Sequence, residues 1–332
     1  MRSVFYPRLV NGPFGDPALY VRLAYRGEAF LFDCGDLRPL SVREILKIGA
    51  VFVSHAHIDH LVGFDILLRL FLCREGRLLL YGPPGMVVRM AGRLSGYTWN
   101  LTADFSFELT VREWDGVSGG EEATFRAREG FRPEGRRPWD CPDGVLLETP
   151  YCRVRSAALD HGGIPSLAFA LEEPLHVAVH RDALEAHRYL PGPWLTALKD
   201  LVRGGAPEET PVSVPLAGGG SETLSLGMVA SRVTHAERGM KVSYVTDASP
   251  SSENQEKIVE LARDSHLLAI EATFAHAELE RARARNHLTA QLAGRLARRA
   301  GAARFLLFHH SPRYQDRPDL LEAEARAAFA GS

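Results

Sequence analysis

Ser54-His55-Ala56-His57-Ile58-Asp59-His60 sets three imidazoles and a carboxylate within six consecutive positions, directly after the apolar run Ile48-Gly49-Ala50-Val51-Phe52-Val53. A run of that composition reads as a buried strand, so the polar groups fall on a loop at a sheet edge, where a tight turn can aim them at one point. Imidazole and carboxylate are the ligands that suit zinc and related divalent ions. A polar turn with surface histidines is the bland alternative, and it gives no reason for the cluster to follow a buried strand. One such cluster cannot close a site for two ions, so further ligands must come from other strand ends.

They stand where that requires. His161 follows the alternating run Arg153-Val154-Arg155-Ser156-Ala157-Ala158-Leu159 and precedes Gly162-Gly163. Asp247 ends Lys241-Val242-Ser243-Tyr244-Val245-Thr246, and His309 ends Ala303-Arg304-Phe305-Leu306-Leu307-Phe308. Any one of these alone reads as a satisfied structural residue; together with the first cluster they point to metal ligation. Two divalent ions roughly 3.5–4 Å apart would lower the pKa of a shared water and hold both oxygens of an in-line displacement at phosphorus. A phosphodiester is then the natural substrate, with Asp59 both ligand and base for the attacking water. Asp33, after Glu28-Ala29-Phe30-Leu31-Phe32, either holds the second nitrogen of a ligand histidine or is an ordinary turn aspartate.

The order H-x-H-x-D-H, a lone His, a lone Asp and a final His resembles the metallo-β-lactamase superfamily. That resemblance implies an α/β fold, the four-layer αβ/βα sandwich of two packed mixed β-sheets flanked by helices. It implies one zinc (or manganese) ion on His55, His57 and His161, a second on Asp59, His60 and His309, and Asp247 between them. Glu271-Ala272-Thr273-Phe274, Asn286-His287-Leu288-Thr289-Ala290-Gln291 and His309-His310-Ser311-Pro312-Arg313-Tyr314 resemble the E-A-T-F, H-x-T and H-F-S-x-R-Y motifs of the ribonuclease Z family, tRNA 3′-processing endonucleases. Tyr81-Gly82-Pro83-Pro84-Gly85, the stretch from His161 to Phe169, and Arg238-Gly239-Met240-Lys241-Val242-Ser243-Tyr244 also match in order, so the likeness covers most of the chain.

By that resemblance His287, read here on a helical stretch running through Arg299, is the proton donor to the leaving group, with Glu271 holding its second nitrogen. Leu190-Pro191-Gly192-Pro193-Trp194-Leu195-Thr196-Ala197-Leu198-Lys199 resembles part of the arm that grips the tRNA elbow. It makes 174–212 a short arm inserted in the domain and Gly192, Pro193 and Lys199 substrate contacts, or else marks a turn before an amphipathic helix. Arg313 either faces a substrate phosphate or makes a surface salt bridge. The family resemblance also implies a homodimer.

There are departures. Leu37-Arg38-Pro39 stands where the family has Gly-Thr-Gln, Ala248 follows Asp247 in place of Thr, and His310 replaces the Phe of H-F-S. Residues 113–150 have no counterpart, and their Gly, Pro and charged residues read as a long excursion and not a core element. These features define a divergent branch, for which three functions are weighed: a ribonuclease Z-type phosphodiesterase acting on tRNA precursors, the same chemistry on a small phosphodiester or cyclic nucleotide, and an inert nucleic-acid-binding protein. The full ligand set and the Glu271/His287 pair argue against the last.

The 332 residues, 45% hydrophobic, can bury one sandwich core, so 1–332 reads as a single domain with no second core required. No apolar stretch of about 20 residues is present to span a membrane, and Met1-Arg2-Ser3-Val4-Phe5 leads into a Pro- and Gly-rich segment instead of a secretory signal, which predicts a cytoplasmic protein. Cys34, Cys73, Cys141 and Cys152 form no C-x-x-C pair, so neither a disulfide framework nor a zinc ribbon is expected. A formal charge of −2 provides no general basic field for RNA. Arginines at 126–137 and 281–299 read as solvated faces or as local patches. Helices are expected at 63–72 and 319–329.

Overall fold

Short runs of aromatic and branched residues become strands covered on both faces. Ala29-Phe30-Leu31-Phe32 is buried along its whole length, as are four of the five residues of Ile48–Phe52, which suits parallel strands sandwiched between layers. The computed structural model describes residues 4–331; Met1 to Ser3, part of the segment read as lacking a secretory signal, lie outside the described residues.

One sheet has eight strands in chain order: β1 (Phe5–Leu9), β2 (Leu19–Leu23), β3 (Ala29–Phe32), β4 (Ile48–Phe52), β5 (Arg77–Gly82), β6 (Glu108–Glu113), β7 (Gly119–Arg126) and β8 (Pro133–Asp140). Its centre, β3 to β6, is parallel, and both flanks are antiparallel. The second sheet uses β9 (Val145–Glu148), β10 (Arg153–His161), β11 (Ile164–Glu172), β16 (Lys241–Val245), β17 (Leu267–Glu271) and β18 (Phe305–Phe308), in the order β18-β17-β16-β11-β10-β9. Between the sheets the rings of Phe32 and Phe52 meet that of Phe169, and Phe32 also meets Tyr244; Tyr81 stacks on Phe52, and Phe308 stacks on Tyr244 at 5.0 Å. Helices Phe64–Phe71 and Met86–Ser95 cover the outer face of the first sheet. Helices Ser252–Ala262, Ala290–Arg299 and Asp319–Ala330 cover the second. Helix, sheet, sheet and helix make the four-layer αβ/βα sandwich expected from the ligand pattern.

The chain groups into two compact units, not around one core. The larger comprises Met1–Leu146, Val154–Leu171 and Lys241–Ser332; the smaller comprises Leu147–Arg153 and Glu172–Met240. The smaller unit begins near the expected start of the arm but continues well past 212. The reason is hydrophobic closure: helix Trp194–Arg203 buries Leu198 only together with Val212, Val214, Leu226, Val229 and Val233. Those residues lie on the hairpin of β13 (Pro211–Pro215) and β14 (Ser221–Ser225) and on helix Leu226–Val233. β12 (His176–Val179) pairs antiparallel with β15 (Thr234–Glu237). Within the unit the buried Glu173 carboxylate accepts from Arg203 Nη2 at 2.7 Å and pairs with His176 Nδ1 at 3.0 Å.

Residues 113–150 are a correction. The segment supplies β7 and β8, which extend the first sheet, and it places Ala123, Phe125, Ala127 and Phe131 in the core. Its charges obscured the strand signal because they pair across neighbouring strands. Glu122 binds Arg112 at 2.5 Å and Arg137 at 2.6 Å, Glu121 binds Arg136, and Arg126 binds Glu108. Arg112, Arg126, Arg136 and Arg137 are therefore engaged in cross-strand pairs. Cys34, Cys141 and Cys152 are buried free thiols and Cys73 an exposed one, and no helix among the described residues is long and apolar enough to cross a membrane.

Candidate metal centre

Seven side chains singled out by type and spacing arrive at one edge of the sandwich. His55, His57, Asp59 and His60 follow β4, His161 ends β10, Asp247 follows β16, and His309 follows β18. Asp247 lies at the middle. Its Oδ2 is 3.5 Å from His55 Nε2, 3.5 Å from His60 Nε2 and 3.7 Å from His161 Nε2, while its Oδ1 is 3.4 Å from His309 Nδ1. Asp59 Oδ2 is 3.2 Å from His309 Nε2 and 3.4 Å from His60 Nε2. Ligand atoms of His55, His57, His161 and Asp247 lie within 4.8 Å of one another, as do those of Asp59, His60 and His309. The donor set suits divalent metals. The buried Nε2 atoms of His55 and His60 have no hydrogen-bond partner, which is what a ligand nitrogen requires.

The second nitrogens are held from behind. Asp33, wholly buried, accepts the Ser54 N–H at 2.7 Å, the Ser54 hydroxyl at 2.9 Å and the Tyr244 hydroxyl at 2.8 Å, and its Oδ2 is 2.8 Å from His60 Nδ1. Because Ser54 Oγ donates to Asp33, it is left to accept from His55 Nδ1 at 3.0 Å. His161 Nδ1 donates to the Asn286 carbonyl at 2.9 Å, and Thr273 Oγ1 lies 3.3 Å from His309 Nδ1. Such partners fix tautomer and ring orientation. Asp33, Asp247 and His309 all have positive φ, at 57°, 41° and 59°, a conformation uncommon outside glycine and concentrated at functional sites.

His287 Nδ1 is 2.9 Å from Glu271 Oε2, and the buried Glu271 also accepts from Ala248 N and Thr273 Oγ1. His287 is not on a continuous helix. Helix Leu279–Arg285 ends at Asn286, in the left-handed conformation with φ 58° and ψ 43°, and the next helix is capped by Thr289 and begins at Ala290. That break frees the Asn286 carbonyl for His161 and turns His287 towards Glu271. A clasp holds the loops together: Ser249 Oγ lies 2.8 Å from the Asp160 carboxylate and 3.1 Å from Asn286 Oδ1, and accepts the Gly162 N–H. The Asn254 amide donates at 2.8 Å to the carbonyls of both Asp160 and Ser249.

Electrostatics act on these groups in opposite directions. Burial and the neighbouring His60 push the His55 pKa down to about 2, so its imidazole is neutral, the form that ligates. Burial works to raise Asp59 and Asp247, but hydrogen bonds and charge from His309 and His60 hold both well below the usual carboxylate range. Burial opposes the protonation of His60, yet Asp33 and Asp247 raise it well above its ordinary value. His287 shows the same balance: burial lowers it, and the Glu271 carboxylate and hydrogen bond outweigh that, carrying it up to about 9.

A cleft of about 250 Å³ opens beside Asp59 and His309, walled by Phe14, Asp16, His310 and Pro312. Burial and the Asp59 and Asp36 carboxylates raise the Asp16 pKa. Arg313 is engaged elsewhere, bonded to Glu278 at 2.6 Å, the surface salt bridge weighed for it. Gly192, Pro193 and Lys199 lie in the smaller unit, where Pro193 caps helix Trp194–Arg203 and Trp194 Nε1 donates to the Leu190 carbonyl at 2.7 Å. Ser54, Tyr244, Thr273 and Asn286 had no role assigned from sequence. Each neighbours an expected ligand or lies within a quoted motif, and that adjacency was the available signal.

No family model matches the chain. It is 33% identical over 316 residues to the ribonuclease Z of Deinococcus radiodurans, covering 93% of this chain and 90% of that protein. To the ribonuclease Z of Methanothermobacter thermautotrophicus it is 29% identical, over 93% of this chain and 85% of the relative. Among solved structures, the metallo-β-lactamase fold protein YhfI from Bacillus subtilis superposes with a TM-score of 0.53 at 15% identity, covering 97% of this chain and 92% of that one. The short form of human tRNase Z gives 0.50 at 18%, covering 93% and 91%. Fold and site together define a hydrolase of the metallo-β-lactamase fold. Within that class, the chain belongs to the ribonuclease Z family.

Proposed function

We propose that the protein is a zinc-dependent endoribonuclease that removes 3′ extensions from tRNA precursors. The observation that carries this reading is the convergence of His55, His57, Asp59, His60, His161, Asp247 and His309 beside the Glu271–His287 pair, in a chain of ribonuclease Z ancestry. His55, His57 and His161 would hold one ion, Asp59, His60 and His309 the other, with Asp247 shared. Nitrogen and oxygen donors of this kind suit zinc first and manganese second. Two such ions supply Lewis acidity and an activated water for displacement at phosphorus.

The chain's own groups do the rest. Asp59, held ionised by its histidine partners, orients the attacking water and accepts its proton. His287 keeps its proton at neutral pH because Glu271 lies against it, and it delivers that proton to the leaving oxygen as the phosphorus–oxygen bond breaks. Glu271 is held by Ala248 N and Thr273 Oγ1, so it fixes the imidazole without competing for substrate. The protein acts in the cytoplasm, as a homodimer, on RNA.

A second reading, a small phosphodiester or cyclic nucleotide as substrate, is favoured by one observation. Residues 172–240, which include the arm, carry nine carboxylates against six Lys and Arg, an unfavourable balance for a polyanion. Incubating the pure protein with a 3′-extended tRNA and with a panel of small phosphodiesters, with and without chelator, separates the two. Chelator-sensitive cleavage at the 3′ extension supports the first; turnover of the small esters alone replaces it with the second.

A further inference from the structure

The strand pair β12 and β15 carries a second group of imidazoles, inside the smaller unit and sharing no residue with the centre described above. Ala178 lies opposite His235 in the antiparallel register. Side chains two apart along a strand share a face, so His180, just past the end of β12, comes diagonally against His235. A backbone bond fixes the spacing, with His180 N–H donating to the Val233 carbonyl at 2.9 Å. His180 Nε2 then lies 2.8 Å from His235 Nδ1, the ring centroids 4.4 Å apart. The other nitrogen of His235, Nε2, is 2.5 Å from Glu237 Oε1. His180 is exposed and the other two side chains are partly so, which gives ions access from solvent.

That arrangement is a chelate. Glu237 takes the Nε2 hydrogen of His235 and leaves Nδ1 as its lone-pair nitrogen, the carboxylate–histidine pairing that fixes the tautomer and raises the basicity of a metal ligand. His180 Nε2 stands beside that lone pair. With metal–nitrogen bonds of about 2.0–2.1 Å, nitrogens 2.8 Å apart subtend an angle of about 90° at an ion. Tetrahedral zinc would hold them about 3.3 Å apart, so the pair suits tetragonal copper(II) or nickel(II), completed by water. The two rings are 55 positions apart in the chain, and the buried apolar residues of the smaller unit, from Leu184 to Val233, all lie between them. A metal clip gains most when it closes a long loop of this kind.

We propose that His180 and His235 chelate a late first-row divalent ion, copper(II) or nickel(II), with Glu237 positioning the His235 ring, and that the ion clips β12 to β15 where the smaller unit closes. The inference does not depend on the ribonuclease reading.

The test uses the full chain saturated with zinc, freed of excess metal, and titrated calorimetrically with copper(II) and with nickel(II) chloride. The wild type should take up one ion more than His180→Ala or His235→Ala. Its copper electron paramagnetic resonance spectrum should carry nitrogen coupling from two imidazoles that both variants lack. Glu237→Gln, which keeps both ligand rings and so covers any loss of fold in the histidine variants, should weaken the extra ion by about 10–100-fold. Copper should also slow amide hydrogen exchange across β12 and β15 in the wild type and not in the histidine variants. Uptake and spectra that are the same in wild type and both variants overturn the proposal, because the ion then sits elsewhere, the zinc-loaded centre included. Uptake at His180 and His235 that leaves amide exchange unchanged overturns the clip.

Discussion

Tyr244 reaches across the sandwich from β16 and donates its hydroxyl at 2.8 Å to Asp33, the carboxylate that follows β3 and lies against His60. One bond therefore ties the two sheets together at the point where the His60 ring is oriented. Asp33 is wholly buried, so its charge depends on the tyrosine, on Ser54 and on His60 for solvation.

Tyr244→Phe should cost about 1.5–3 kcal/mol of stability, the range for a hydrogen bond to a charged group. It should also weaken metal binding by about 10–100-fold, as loss of an outer partner does. Chemical unfolding and competitive metal titration read the two effects, and unchanged metal affinity would sever Asp33 from the orientation of His60.

His60→Ala and Asp247→Ala should each abolish hydrolysis of a chromogenic phosphodiester while the far-ultraviolet circular dichroism stays native. Turnover retained in either variant, in a preparation whose metal content has been measured, would refute the assigned centre.

His287→Ala should slow substrates with poor leaving groups far more than activated aryl esters, because only an alkoxide needs the proton. Glu271→Gln removes the charge that lifts His287 to about 9. Its imidazole should then lose its proton at lower pH, and the alkaline limb of kcat on an alkyl ester should move acidward by roughly one unit or more. Equal losses on both ester types, with no movement of that limb, would remove His287 from proton delivery.

The same pair makes a stability forecast for the chelated protein. His287 is raised in the folded state from 6.5 to about 9, so its stabilising contribution is complete below pH 6.5 and disappears as the pH climbs through 9. The gap in unfolding free energy between wild type and His287→Gln should be flat below pH 6.5 and narrow between 6.5 and 9. His55, depressed to about 2, acts oppositely: the unfolded chain takes up its proton first, and stability falls as the pH drops below 6.5.

Ser249→Ala opens the clasp joining Asp160, Gly162 and Asn286. Because those residues flank His161 and His287, metal affinity and the leaving-group dependence of kcat should change together. A fall in thermal stability alone would make the clasp structural only.

What could be read from residue order was the part in which chemistry and strand ends coincide. His55, His161, Asp247 and His309 each end or follow a strand-like run, and the fold brings them to one edge because the strands that carry them terminate there. The His287–Glu271 pairing came from motif likeness and is met at 2.9 Å. Tertiary compensation was invisible. Glu121 and Glu122 made β7 look like a loop, since their arginine partners sit on other strands. The stop at Asn286 was hidden inside an arginine-rich helical pattern, because asparagine tolerates positive φ without a glycine to announce the turn. The smaller unit was cut short at 212 because helix Trp194–Arg203 finds its apolar partners on a hairpin beyond that point.

The smaller unit closes on its own apolar centre and neutralises its interior charges with Glu173, Arg203 and His176. Its outward-facing residues can accordingly drift without unseating that centre, so this stretch of chain is free to diversify in sequence while its own fold stands.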